Sequence, residues 1–120
     1  MRRIGAHVKD ISISNLDALE FMERLDSSVV IYCDPPYYLM GRDFYGAFCT
    51  AKQHDNLAQY LKARVGVWLC SYDTHEHIKS LYTGCPSLEL CWRYGSSKGK
   101  MGVEWLFSNL EFKQERTLWD

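Results

Sequence analysis

The stretch Val29-Val30-Ile31-Tyr32-Cys33-Asp34-Pro35-Pro36-Tyr37 decides how this chain is read. Its first five residues are continuously apolar and rich in β-branched side chains, the signature of a strand covered on both faces in a parallel sheet. Two prolines cannot donate to a ladder, so the strand stops at Asp34. A second apolar run, Val65-Gly66-Val67-Trp68-Leu69-Cys70, predicts a second such strand. Between them lie a loop over residues 38–49, rich in Tyr, Phe and Gly, and then a helix. Thr50 with Gln53 forms a capping box for that helix, and His54, Leu57, Ala58 and Leu61 make its inner face.

Upstream, Val8 to Ser14 alternates apolar and polar residues and predicts a strand near an edge. Asn15 is a suitable N-cap for the next helix, with Asp17 and Glu20 in its first turn and Ala18, Phe21, Met22 and Leu25 on one apolar face. Downstream, Asp73 with Glu76 opens a short helix carrying Ile78, Leu81 and Tyr82. Leu88, Leu90, Trp92 and Tyr94 then alternate with polar neighbours as a half-exposed strand. Gly95 to Gly102 is a turn, and Val103 to Phe107 returns as a hairpin partner. The predicted order is β-α-β-α-β-α-β-β: an α/β fold with a mostly parallel sheet and a C-terminal antiparallel hairpin.

Composition limits the function. A chain of 120 residues holds one domain. Fourteen Lys+Arg against 15 Asp+Glu give a net charge of −1, which excludes a polybasic protein and leaves nucleic-acid contact to a local patch. No apolar run approaches the ~20 residues of a membrane span. Met1-Arg2-Arg3-Ile4-Gly5 is not followed by the apolar stretch of a secretory signal. Five cysteines, Cys33, Cys49, Cys70, Cys85 and Cys91, include no C-x-x-C pair, which argues against zinc ribbons and disulfide scaffolds and points to a reducing, cytoplasmic setting.

Asp34-Pro35-Pro36-Tyr37 carries the chemistry. The lone pair of an exocyclic base amine is delocalised into the ring, so the nitrogen is a poor nucleophile. Two acceptors placed against its N–H groups draw it toward tetrahedral geometry. A carboxylate supplies one and a backbone carbonyl the other. Pro-Pro fixes φ and removes competing donors, and an aromatic beside them stacks on the base. A strand end holds the set rigid.

In that context the tetrapeptide resembles the motif of the Dam-like DNA adenine-N6 methyltransferases. Ile13 to Ala18, the helix with His54 and Leu57, the strand ending at Ser71-Tyr72, and Glu104 to Asn109 extend the likeness over residues 8 to 109. The resemblance implies a Rossmann-like methyltransferase sheet, S-adenosylmethionine as cofactor, and double-stranded DNA presenting a flipped adenine. Asp34, Pro35, Pro36 and Tyr37 would be catalytic. Asp34, Asn15 and Asp17 would lie at the cofactor.

The family's glycine-rich cofactor segment and target-recognition insert are not found here. The eight glycines form no G-x-G. The chain therefore reads as a carboxyl-terminal part: truncated, a phage remnant, or one piece of a split enzyme whose complementary chain supplies the glycine-rich half. Different readings are a non-catalytic nucleic-acid- or partner-binding remnant and a piece of an RNA guanine-N2 methyltransferase.

Tyr38, Arg42, Tyr45, Arg93, Lys98 and Lys100 are candidate nucleic-acid contacts, the last three in a stretch free of acidic residues from Trp92 to Val103. Tyr38 and Tyr45 fit packing equally well, and the basic residues fit a solvated turn. Asp17 fits a helix first turn as well as a cofactor contact. His54 reads as a core histidine. His75 and His77, two apart on a helix, read as exposed residues that cannot share a metal.

Overall fold

The computed structural model describes residues 8–38, 50–93 and 101–113. A 3-10 turn, Val8–Asp10, leads to helix α1 (Ala18–Glu23) and strand β1 (Ile31–Cys33). Helix α2 (Ala51–Ala63), strand β2 (Trp68–Asp73), helix α3 (Glu76–Leu81), and strands β3 (Ser87–Arg93) and β4 (Met101–Ser108) follow.

The strand expected over Val8 to Ser14 is absent. Residues 11–14 pair with nothing in the sheet, and Ile11 and Ile13 are exposed. Alternation makes a strand only where a neighbour completes the ladder. The cap of α1 also falls two residues later than expected. Asp17, not Asn15, accepts from the amides of Leu19 and Glu20, at 3.1 and 3.2 Å. Both residue types cap well, and the buried face of α1 begins only at Leu19. The capping box at Thr50 and Gln53 is present as read.

The sheet runs β1-β2-β4-β3. Only β1 and β2 are parallel, with Ile31 opposite Trp68 and Cys33 opposite Cys70. β4 is antiparallel to both β2 and β3. The expected hairpin forms, but the sheet is mixed rather than mostly parallel. With no strand from residues 8–14, β1–β2 is the one parallel pair among the described residues, and β4 is long enough to serve both neighbours.

Strand parity sorts the sheet into two faces. Ile31, Trp68, Cys70, Tyr72 and Phe107 are buried and form the core with Met22 of α1, Leu61 of α2 and Ile78 of α3. Tyr82, just past α3, stacks on Phe107 at 4.7 Å. Of the other parity, Tyr32 is exposed and Leu69 half-buried, while Ser71 and Ser108 are buried. β1 is thus covered on one face, a correction to the two-sided burial its apolar run predicts.

Local locks fix the strand ends. The Asn109 amide donates to the Gly66 carbonyl at 2.9 Å, and its Oδ1 accepts from the Trp68 amide at 3.2 Å. Ser108 Oγ donates to the Trp68 carbonyl at 2.8 Å. Arg64 donates to the carbonyls of Asp26 and Val29, each at 2.8 Å, and so pins the loop that feeds β1 to the end of α2. No helix among the described residues is long and apolar enough to cross a membrane.

Candidate functional site

The carboxyl end of β1 opens on a cleft of ≈ 710 Å3 between α1, β1 and α2. Its walls are apolar, with Met22, Val30 and Leu57 among them, and its polar groups include Asp17, Asp34 and His54. A mostly apolar hollow with a few fixed polar groups is the usual form of a small-molecule site.

Asp34 is the first residue past β1. Its side chain is exposed rather than turned into the core, and its Oδ1 accepts from Ser71 Oγ at 3.0 Å. Ser71 sits on the adjacent strand, is 2% exposed, and in turn accepts from the Tyr32 hydroxyl at 3.1 Å. Pro35 and Pro36 line the cleft beside Asp34. Tyr37 is half-buried and is not among the lining residues.

Two residues expected at the cofactor part company. Asp17 is among the residues lining the cleft, while its carboxylate caps α1. Asn15 is exposed and does not line it.

Of the expected nucleic-acid contacts, Arg42, Tyr45, Lys98 and Lys100 lie outside the described residues. Arg93 is exposed at the end of β3, the sheet edge opposite β1. Tyr38 is half-buried. Its amide donates to Asp73 Oδ1 at 2.9 Å, and its ring packs against the imidazoles of His75, His77 and His54, at 4.5, 5.0 and 5.4 Å between centroids.

Those histidines are each held in place. His54 is buried, as read, with Nδ1 2.7 Å from the Tyr72 hydroxyl. Burial lowers its affinity for a proton; Asp73 and Asp55 oppose that, and His77 adds to it. His75 and His77 are half-buried rather than exposed. His75, not Asp73, caps α3, its Nδ1 accepting from the His77 amide at 3.1 Å, while His77 Nε2 lies 2.9 Å from Asp55 Oδ1. Among the described residues no cluster of His, Cys, Asp and Glu is arranged to hold a metal ion.

Beneath Asp34, Cys33 and Cys70 are register partners, and both are free thiols. The contact with Cys33 and burial together push the Cys70 thiol well up, so it stays protonated and behaves as packing. Ser71, Arg64 and the histidine rings around Tyr38 escape a reading of the sequence, because each acts through a partner distant along the chain.

No family model matches this chain, and no curated protein matches it.

Proposed function

We propose that this chain carries the base-amine site of an S-adenosylmethionine-dependent, adenine-specific DNA methyltransferase, with Asp34 to Tyr37 as its reacting edge. One observation carries the reading: an exposed carboxylate at the end of a sheet strand, steadied by Ser71, followed by two prolines at the lip of an apolar cleft. The parallel β1–β2 pair and the antiparallel β3–β4 pair support the Rossmann-like methyltransferase sheet that the resemblance implies.

In this reading Asp34 and the Pro35 carbonyl accept from the two N–H groups of a flipped adenine, and Tyr37 stacks on its ring. The amine nitrogen attacks the methyl carbon as the carbon–sulfur bond breaks. The sulfur keeps the bonding pair and leaves as the neutral thioether, and the nitrogen then loses one proton toward Asp34 and water. Asp17 and the apolar wall from Met22 to Leu57 would receive the cofactor. The protein's part is orientation and electrostatic stabilisation at a preformed site.

The family that the motif resembles cradles its cofactor with a glycine-rich segment, and the sequence contains no G-x-G. The reading therefore includes a complementary chain. Among the described residues β1 borders the sheet with one side unpaired; Tyr32 on it and Val30 just before it are 63% and 61% exposed. A free strand edge beside apolar side chains accepts an added strand. The same observation favours the second reading, a non-catalytic partner-binding module.

Calorimetry with S-adenosylmethionine, on the chain alone and with duplex DNA, separates the two. Binding that Asp34→Ala abolishes supports the enzyme. DNA or protein binding with no cofactor uptake, in this chain and in one completed by a glycine-rich half, supports the module and ends the methyl-transfer reading.

A further inference from the structure

We propose that Tyr38 is the positioning residue of the site, its ring caged by His54, His75 and His77 so that the turn from Asp34 to Tyr37 is held against the ends of β2 and α3. The proposal takes the methyl-transfer reading only as the purpose of the held turn; the cage itself stands on geometry.

A tetrapeptide that leaves a strand needs an anchor at its far end. Its near end is fixed by β1, which pairs with β2 through Cys33 and Cys70. Pro35 and Pro36 stiffen the middle but have no N–H with which to tie it to the sheet. Tyr38 supplies the tie in two ways. Its backbone N–H reaches Asp73 at the carboxyl end of β2, at 2.9 Å. Its ring meets His75 and His77 with interplanar angles of 42° and 32°, and His54 edge-on at 68°.

The walls of the cage come from different elements and are fixed independently of Tyr38. His54 stands on α2 against the Tyr72 hydroxyl of β2. His75 is the N-cap of α3. His77 is tied to Asp55 of α2. A ring seated against three anchored rings loses little freedom on further ordering and resists displacement toward any of them. Asp34 and Tyr38 therefore bracket the two prolines between fixed points, and the carbonyl of Pro35 inherits its direction from both. Tyr38 acts through that turn and touches no reacting atom.

The test is amide hydrogen exchange in the whole chain, read by nuclear magnetic resonance and corrected for side-chain effects on intrinsic rates. Tyr38→Phe keeps the ring and should exchange like the native protein at residue 38. Tyr38→Ala should raise exchange there about tenfold, the scale of one lost ring pair, while the amides of Cys70 and Phe107 in the sheet keep their protection. Unchanged exchange in Tyr38→Ala overturns the proposal. So does an equal rise at Cys70 and Phe107, which makes the effect global, or a Tyr38→Phe as damaging as Tyr38→Ala. Should Tyr38→Ala not fold, His77→Ala removes one half-exposed wall of the cage and must loosen residue 38 selectively, or the cage is refuted. Failure to take up S-adenosylmethionine, both in the native chain and in one completed by a glycine-rich half, ends the methyl-transfer reading and leaves these exchange results to decide the cage by themselves.

Discussion

Ser71 holds Asp34: its hydroxyl, buried on β2, donates to Oδ1 at 3.0 Å across 37 positions of sequence. The single hydroxyl proton goes to Asp34 rather than to the Cys33 carbonyl at 3.5 Å, and the oxygen accepts from Tyr32. The carboxylate at the strand end is therefore aimed by the neighbouring strand.

Ser71→Ala tests that aim. The Tyr32 hydroxyl, on an exposed residue, turns to water, so the loss is one net hydrogen bond, about 1 kcal/mol in urea unfolding. Under the methyl-transfer reading cofactor uptake weakens as well, because the Asp34 carboxylate then samples other rotamers. A variant as stable as the native chain, with unchanged uptake, removes Ser71 from the site.

Gly66→Ala tests the approach to β1. A Cβ on Gly66 would lie 2.6 Å from the Ser27 carbonyl oxygen, a backbone atom that cannot swing aside, and 2.8 Å from the Arg64 guanidinium. The added methyl must push apart the segments before β1 and β2. The expected cost is about 1–3 kcal/mol, as for other overpacked sites, read as a lower urea midpoint at unchanged slope.

The parts of the fold legible in the sequence are those set by neighbours along the chain. Pro35 and Pro36 stop β1 because they lack donors, and Thr50 with Gln53 caps α2 through bonds that span three residues. The β3–β4 pairing follows from the alternation of Leu88, Leu90 and Trp92 with polar neighbours and the apolar return at Val103 to Phe107. The strand over Val8 to Ser14 fails because alternation fixes only which side chains share a face, and among the described residues no strand pairs with Ile11 and Ile13, which are exposed. Asn15 and Asp17 are near-equal caps in composition, and the start of the buried face, at Leu19 and Met22, decides between them. At the site, Asp34 and its prolines are legible, whereas Ser71 and the histidines around Tyr38 arrive through sheet register and helix packing. His75 and His77 read as exposed only while nothing is known to sit on α3; Tyr38 and Asp55 do.

Stability should fall on acidification through His54. Burial disfavours its charged form, and His77 adds to that, while Asp73 and Asp55 pull the other way without reversing the shift. The folded chain therefore binds this proton less readily than the unfolded chain, whose histidine titrates near 6.5. The stabilising contribution is complete above that value and is lost as pH drops below it. Urea midpoints at about pH 7.5 and 5.5 should show the acid loss in the native chain and a smaller loss in His54→Gln. Equal acid slopes in the two chains would remove His54 from the account.

Asp17 separates a cap from a ligand contact. Its Oδ1 accepts from two amides of α1 while the residue lines the cleft, so Asp17→Ala confounds the two roles. Asp17→Asn does not, because asparagine caps as well as aspartate, and only the negative charge goes. If the residue serves the helix alone, Asp17→Asn matches the native chain in unfolding and in cofactor calorimetry, and Asp17→Ala loses about 0.5–2 kcal/mol of stability. If the carboxylate also meets the cofactor, Asp17→Asn keeps its stability and takes up S-adenosylmethionine less tightly. Because stability and uptake then move apart in one variant, the helix cap cannot account for the loss.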